Sequence, residues 1–369
     1  MAQSELMQIG EEMMAVCNAC RYCEGFCAVW PAMEFRRKFP ASDMKYLANL
    51  CHNCSECYYA CQYAPPHEWM VNPPQTFARI RASSYEEYAW PKGLASAFRA
   101  NGLVAALVTA LTLVAFMFGV TQTIGGRSLS TAVAGGNFYQ IISHEALVVT
   151  FIIVGAFAAI ALLTGLLRFW RDIGEQTSDL LNVPGLATAI KEVLQLKYLE
   201  GGGPGCAYPG EVSSQARRWF HHFTFYGFGL CFVATTLGAI YYYVFGWPGP
   251  YSYTSLPVVC GTLGGLGLII GPVGMWALKS GRNREITDES QYGMDVAFIL
   301  LLVLTSVSGL LLLVLRETAN MGLLLVIHLA LVMTLFLMLP YGKFVHGLYR
   351  CAALLKYALE RMRKHALGV

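Results

Sequence analysis

Two kinds of apolar pattern divide this chain. Up to about residue 93, apolar side chains are interspersed with charges. Between Pro31 and Leu50 the apolar positions are Met33, Phe35, Phe39, Met44, Leu47 and Leu50, a spacing of short helices rather than hairpins. Beyond that point six apolar stretches, at about 100–120, 138–167, 220–246, 256–278, 294–315 and 321–345, each come near the roughly 20 residues that cross a bilayer as a helix. The fourth contains six glycines and Pro272, which spanning helices tolerate. Its Gly261-x2-Gly264-Gly265-x-Gly267 imitates a dinucleotide-binding fingerprint. It lies inside an apolar span with no strand before it, so close helix packing is the better reading. The long polar interval 168–219 carries its own helix: Asn182 as cap, Pro184 in the first turn, and Leu186, Ile190, Val193 and Leu194 on one side. Gly201 to Gly205 end it, and the interval is expected to pack beside the polar head.

Composition agrees with a membrane protein. Hydrophobic residues make up 56% of the 369 and charged residues only 13%, where a soluble chain has about 25% charged. A net charge of +3 gives no case for nucleic acid. With six spans and the head inside, 24 Lys/Arg fall on the inner side and two, Arg127 and Arg316, on the outer. This bias predicts a multi-pass protein of the inner (cytoplasmic) membrane with both termini cytoplasmic. Glu5, Glu11 and Glu12, with no apolar core before the first cysteine, argue against a cleaved signal. The head should then sit in a reducing compartment, where thiols stay available as ligands.

Those thiols are the most specific chemistry in the chain. Cys-x2-Cys-x2-Cys-x3-Cys occurs twice, as Cys17, Cys20, Cys23, Cys27 and as Cys51, Cys54, Cys57, Cys61. Structural zinc takes paired Cys-x2-Cys arms, and disulfides belong to oxidising compartments, so neither accounts for the spacing. In two-cluster ferredoxins the fourth cysteine of each run ligates the other cluster. The expected ligand sets are Cys17, Cys20, Cys23 and Cys61 for one [4Fe–4S] cluster, and Cys51, Cys54, Cys57 and Cys27 for the other. Cys206, Cys231, Cys260 and Cys351 are scattered, and Cys206 reads as a turn residue.

Five of eight histidines lie in or beside the spans, where ionisable side chains are rare and usually functional. His328 and His346 are 18 residues apart, about 27 Å and five full turns on one continuous helix, so both rings would leave the same face. That spacing suits a helix giving one ligand to each of two stacked b-type haems. Counted from the outer ends of their spans, His144 at about 9 Å and His328 at about 10 Å form an outer pair. His346 and one of His221 and His222 form an inner pair. The competing role for each is an interhelical hydrogen bond or an interfacial anchor.

The segments 17–27, 51–68, 201–209 and 221–228 resemble the tricarballylate and citrate utilisation iron–sulfur membrane proteins (the TcuB/CitB family). The resemblance implies a partner FAD-dependent dehydrogenase that oxidises tricarballylate to cis-aconitate, with electrons passing to the membrane quinone pool. The chain is also similar to the C-terminal half of a flavohaemoprotein that hydroxylates a corrin precursor, which leaves an oxygen-dependent hydroxylase partner as the alternative. The membrane part resembles the dihaem cytochrome b subunit of respiratory nitrate reductase. Nothing in the chain itself binds flavin by a recognisable motif. The expected fold is mainly α: a cytoplasmic two-cluster ferredoxin head, 1–93, fused to a six-helix cytochrome b-like membrane domain, 94–369, embedded in lipid. Either the outer residues Arg316, Glu317 and Asn320 or the inner interval could meet quinone.

Overall fold

The computed structural model describes residues 3–124 and 129–366, so Arg127 lies outside the described residues. The head is built from α1 (Gln3–Cys20), α2 (Val29–Glu34), α3 (Ala41–Leu50), α4 (Glu56–Tyr59), α5 (Pro73–Tyr88) and α6 (Lys92–Ala100). Asn72 caps α5 by accepting from the Gln75 amide at 3.2 Å, and the prolines at the first helical positions give up amides that have no intrahelical partner. Membrane helices follow: α7 (Gly102–Ile124) and α8 (His144–Asp172), then the short helix α9 (Val183–Leu194), and α10 (Ala216–Tyr243), α11 (Leu256–Ser280), α12 (Tyr292–Val314) and α13 (Met321–Met338). The chain ends in α14 (Val345–Ala366). Among the described residues, six helices are long and apolar enough to cross a membrane. Their outward residues, among them Val108, Leu111, Phe116, Ile152 and Ile153, are exposed and apolar, as a lipid-facing surface requires.

Asn182 caps α9 as expected, accepting from the Gly185 amide at 2.9 Å. The glycine stretch then turns into a two-residue ribbon, β1 (Cys206–Ala207) against β2 (Ser213–Ser214), packed on the head. Ser213 donates to Glu56 at 2.6 Å, and a side chain on Gly202 would lie 3.1 Å from the Gly25 carbonyl.

The glycines of α11 are a packing seam. A Cβ on Gly264 would sit 2.8 Å from the Gly227 carbonyl, and one on Gly271 would sit 2.7 Å from the Phe220 carbonyl. Backbone meets backbone along α10 and α11, the use of small residues that membranes favour where no hydrophobic driving force joins helices.

The head does not close its own core. Tyr46, Leu47, Leu50, Met33 and Ile80 are fully covered, but the same apolar cluster includes Phe169 and Trp170 from the end of α8, and Tyr349, Ala353 and Leu355 from α14. Arg36 ties the two together, pairing with Asp43 at 2.6 Å and with Glu360 at 2.5 Å.

One expectation needs correcting. His328 and His346 are not on one helix: α13 stops at Met338, a turn occupies 339–344, and α14 begins at Val345. Pro340 has no amide to continue the ladder and its ring crowds the preceding turn. The face argument built on eighteen continuous helical residues therefore falls.

Candidate metal and cofactor centres

Each cysteine run begins where a helix gives way to a tight loop. Arg21, Asn53 and Ser55 hold φ of 57°, 57° and 69°, left-handed values that cost a non-glycine residue energy and persist where surroundings impose them. These reversals fold the loops so that the thiols face inward. One cavity of about 280 Å³ is lined by Cys17, Cys20, Cys23, Cys57 and Cys61. A second is lined by Cys27, Cys51, Cys54 and Cys57. Cys61 of the second run thus joins three thiols of the first, and Cys27 of the first joins three of the second. Among the described residues no three donors converge closely enough to hold a single metal ion; the thiols ring cavities instead. Burial, reinforced by neighbouring thiolates, pushes the Cys17, Cys23, Cys27 and Cys57 thiols up, Cys23 to about 12. Such a set gives up its protons only to a bound cation. Cys20 is exposed, whereas Cys51, Cys54 and Cys57 are buried.

Cys206 is more than a turn residue. It is fully buried in β1, donates to the Leu199 carbonyl at 3.4 Å, clusters with Cys54 and lies 3.8 Å from an Arg217 nitrogen; Cys54 and Arg217 hold its thiol below the usual thiol range.

The inner histidines meet. The rings of His221, on α10, and His346, on α14, have centroids 6.1 Å apart and planes at 72°. Both line a cavity of about 240 Å³ between the head and the bundle. Two imidazoles facing one another across a cavity would be placed to hold one metal-bearing cofactor between them. His346 donates its Nδ1 hydrogen to the Lys343 carbonyl, which leaves Nε2 with a free lone pair. The Nδ1 atom of His221 is buried and has no hydrogen-bond partner. His222 turns the other way, against Trp219 and Tyr226.

The outer histidines do not meet in the same manner. Ser143 caps α8 by accepting from the Ala146 amide at 3.3 Å, so His144 opens the helix instead of lying several residues inside it. Its ring stacks on Tyr242 at 3.7 Å. His328 sits two turns into α13, with Nδ1 3.1 Å from the Ser308 hydroxyl and its ring against Gly309.

Four arginines went unnoticed in the sequence. Arg81, Arg217, Arg282 and Arg350 line the inner cavity. Arg217 donates to the carbonyls of His52 and Asn53 at 2.8 and 2.9 Å, Arg350 to that of Cys51 at 2.8 Å, and Arg81 to those of Ala48 and Cys51 at 2.7 and 3.2 Å. Arg282 reaches the side chains of Asn53 and Ser55 at 3.0 and 2.9 Å. A signal was available: Arg217 precedes His221 by four residues and Arg350 follows His346 by four, which places each pair on one helix face.

Comparison with known proteins agrees with this division. Residues 10–87 match the family described as the citrate utilization protein B Fer4-like domain, and residues 96–367 match citrate utilization protein B. The citrate utilization protein B of Escherichia coli is 48% identical over 363 residues, covering 97% of this chain and 94% of that protein. No solved structure matches. With an α-helical Fer4-like head on a six-helix membrane bundle and matches along nearly its whole length, the chain belongs to the citrate utilization protein B family.

Proposed function

We propose that this protein is a membrane electron carrier that takes electrons from a partner FAD-dependent dehydrogenase of the tricarballylate or citrate type and delivers them to quinone. Cys17, Cys20, Cys23 and Cys61 would hold one [4Fe–4S] cluster and Cys27, Cys51, Cys54 and Cys57 the other, with one b-type haem between His221 and His346. Clusters and haem supply one-electron chemistry when bound. The chain's own part is to bind them, insulate them and fix their spacing. The observation that carries this reading is a shared wall: His52 and Asn53 line both the second thiol cavity and the histidine cavity. The first quartet, in which Cys20 reaches the surface, offers a docking face for the partner, and the second quartet, with Cys51, Cys54 and Cys57 buried, adjoins the membrane bundle. The Lys/Arg distribution supports a cytoplasmic head and termini on the inner membrane.

Co-expression with an FAD-dependent dehydrogenase of the tricarballylate type tests it. The two should co-purify, and dehydrogenase substrate should reduce a soluble quinone only when both are present. The purified chain should carry about eight irons, giving two interacting [4Fe–4S] signals by electron paramagnetic resonance. Cys54→Ser should lose the signal of the inner cluster. Stoichiometric zinc in place of iron would reject the reading.

A further inference from the structure

The inner cavity has an unbalanced charge. Six cations line it: Arg81, Arg217, Lys279, Arg282, Lys343 and Arg350. The acids in the same wall are Asp295 and Glu192. Asp295 is taken by both lysines, Lys343 at 2.9 Å and Lys279 still closer. Glu192 is taken by Lys197, Arg361 and the Tyr198 hydroxyl, each at 3.0 to 3.1 Å. Among the described residues, none of the four arginines has a carboxylate partner; their contacts are backbone carbonyls, Asn53, Ser55, the Cys206 sulfur and the ring of Tyr208, over which Arg217 and Arg282 both lie. The Nε atoms of Arg217, Arg282 and Arg350 are buried and have no hydrogen-bond partner at all.

A guanidinium taken out of water without a counter-ion costs several kcal/mol, and an orphaned donor adds to that. The contrast with Arg36 is instructive. Glu360 and Asp43 hold the Arg36 guanidinium above its ordinary range, whereas burial and neighbouring guanidiniums drag Arg282 and Arg350 down to about 10; Arg217, beside the Cys206 sulfur, stays above its ordinary range. Three buried cations that line one cavity, each with an unpartnered Nε, call for a compact dianion, and planar guanidiniums select carboxylates in particular.

We infer that Arg217, Arg282 and Arg350 clamp a pair of carboxylates, namely the two propionates of a haem held between His221 and His346. This rests on reading that cavity as a haem site. Through their other nitrogens the same guanidiniums hold the backbone and side chains of 51–55, so the propionate edge would face the loop that carries Cys51 and Cys54. A free polycarboxylate such as citrate has the same chemistry and is the competing source.

The test uses the full chain in detergent, produced without haem and then titrated with protohaem or with its dimethyl ester, whose propionates carry no charge. Protohaem should bind at least about tenfold more tightly than the ester, the worth of one or more charge-assisted hydrogen bonds. Arg282→Gln, which removes a clamp residue that is neither on α10 nor on α14, should bring the two affinities within about threefold. In the same variant the haem potential should move negative, because a positive charge near the iron disfavours the oxidised state. Arg282→Lys keeps the charge and should recover part of the difference that Arg282→Gln loses, which a merely structural arginine would not do. Equal affinity for protohaem and ester in the wild type overturns the clamp. So does equal affinity accompanied by citrate binding that Arg282→Gln abolishes, which would assign the arginines to a free polycarboxylate. Failure of the haem reading itself looks different: neither protohaem nor ester would bind any form of the protein.

Discussion

Two pairs of membrane histidines look equivalent in the sequence and are built differently. The inner rings, His221 and His346, face one another across 6.1 Å in a cavity lined with arginine. The outer ones have each found a private neighbour: His144 an aromatic face, His328 a serine hydroxyl. Depth along a helix cannot separate the two, because it records where a ring sits and not what the ring meets. What separates them is the unfinished chemistry. At the inner site a buried imidazole nitrogen and three guanidinium nitrogens lack partners, whereas the outer rings have local partners of ordinary kinds. Native structures rarely leave buried polar atoms unpaired without a functional reason.

The largest expected effect follows directly. His346→Ala or His221→Ala should abolish b-type absorbance measured as pyridine haemochrome, whereas His144→Ala and His328→Ala should retain it in full. Loss of half the haem in either outer variant would place a second haem there and erase the distinction. His222→Ala serves as the internal control, because its ring lies against Trp219 and Tyr226, away from His346.

That control also marks how far the residues could be read without coordinates. Cysteine spacing is a local property, and the crossed grouping of Cys27 and Cys61 could be read from it. So could the glycine seam of α11, since an apolar span leaves such glycines little to do except admit another helix. The choice between His221 and His222 could not be read, because adjacent residues differ by about 100° of rotation and only the position of α14 decides which is useful. Helix boundaries could not be read from hydropathy either. Ser143 starts α8 later than hydropathy suggests, and Pro340 ends α13 earlier, although both residues were in view. The arginines went unnoticed because positive charge near the inner ends was absorbed into the topology count, where a cation aimed into a cavity and one facing water weigh the same.

A smaller effect would sharpen the outer half of the contrast. A Cβ on Gly309 would come within 2.8 Å of the His328 ring, so Gly309→Ala should lower stability by about 1–3 kcal/mol through overpacking, without loss of haem. Thermal unfolding in detergent reads this. In a His328→Ala background the same substitution should cost appreciably less, because the clashing ring is gone and the two residues are in direct contact. Equal costs in both backgrounds would mean that the ring is not what fills that space.

The smallest effect is the most discriminating about His144. Its ring lies nearly parallel to Tyr242, at 15° and 3.7 Å, and beside Tyr139 and Tyr243. If that stacking is the whole of its role, a flat apolar ring can replace it. His144→Phe should then leave stability within about 0.5 kcal/mol of wild type, whereas His144→Ala should lose about 0.5–1.5 kcal/mol of aromatic contact. A ligand or proton carrier would give the opposite order of sensitivity: phenylalanine would be as damaging as alanine in quinone reduction, whatever the melting temperature. The pair of variants therefore separates a ring kept for its shape from one kept for its nitrogen. The same pair at His346 should fail together in haem binding, since there the lone pair left on Nε2 is what the site presents to the cavity.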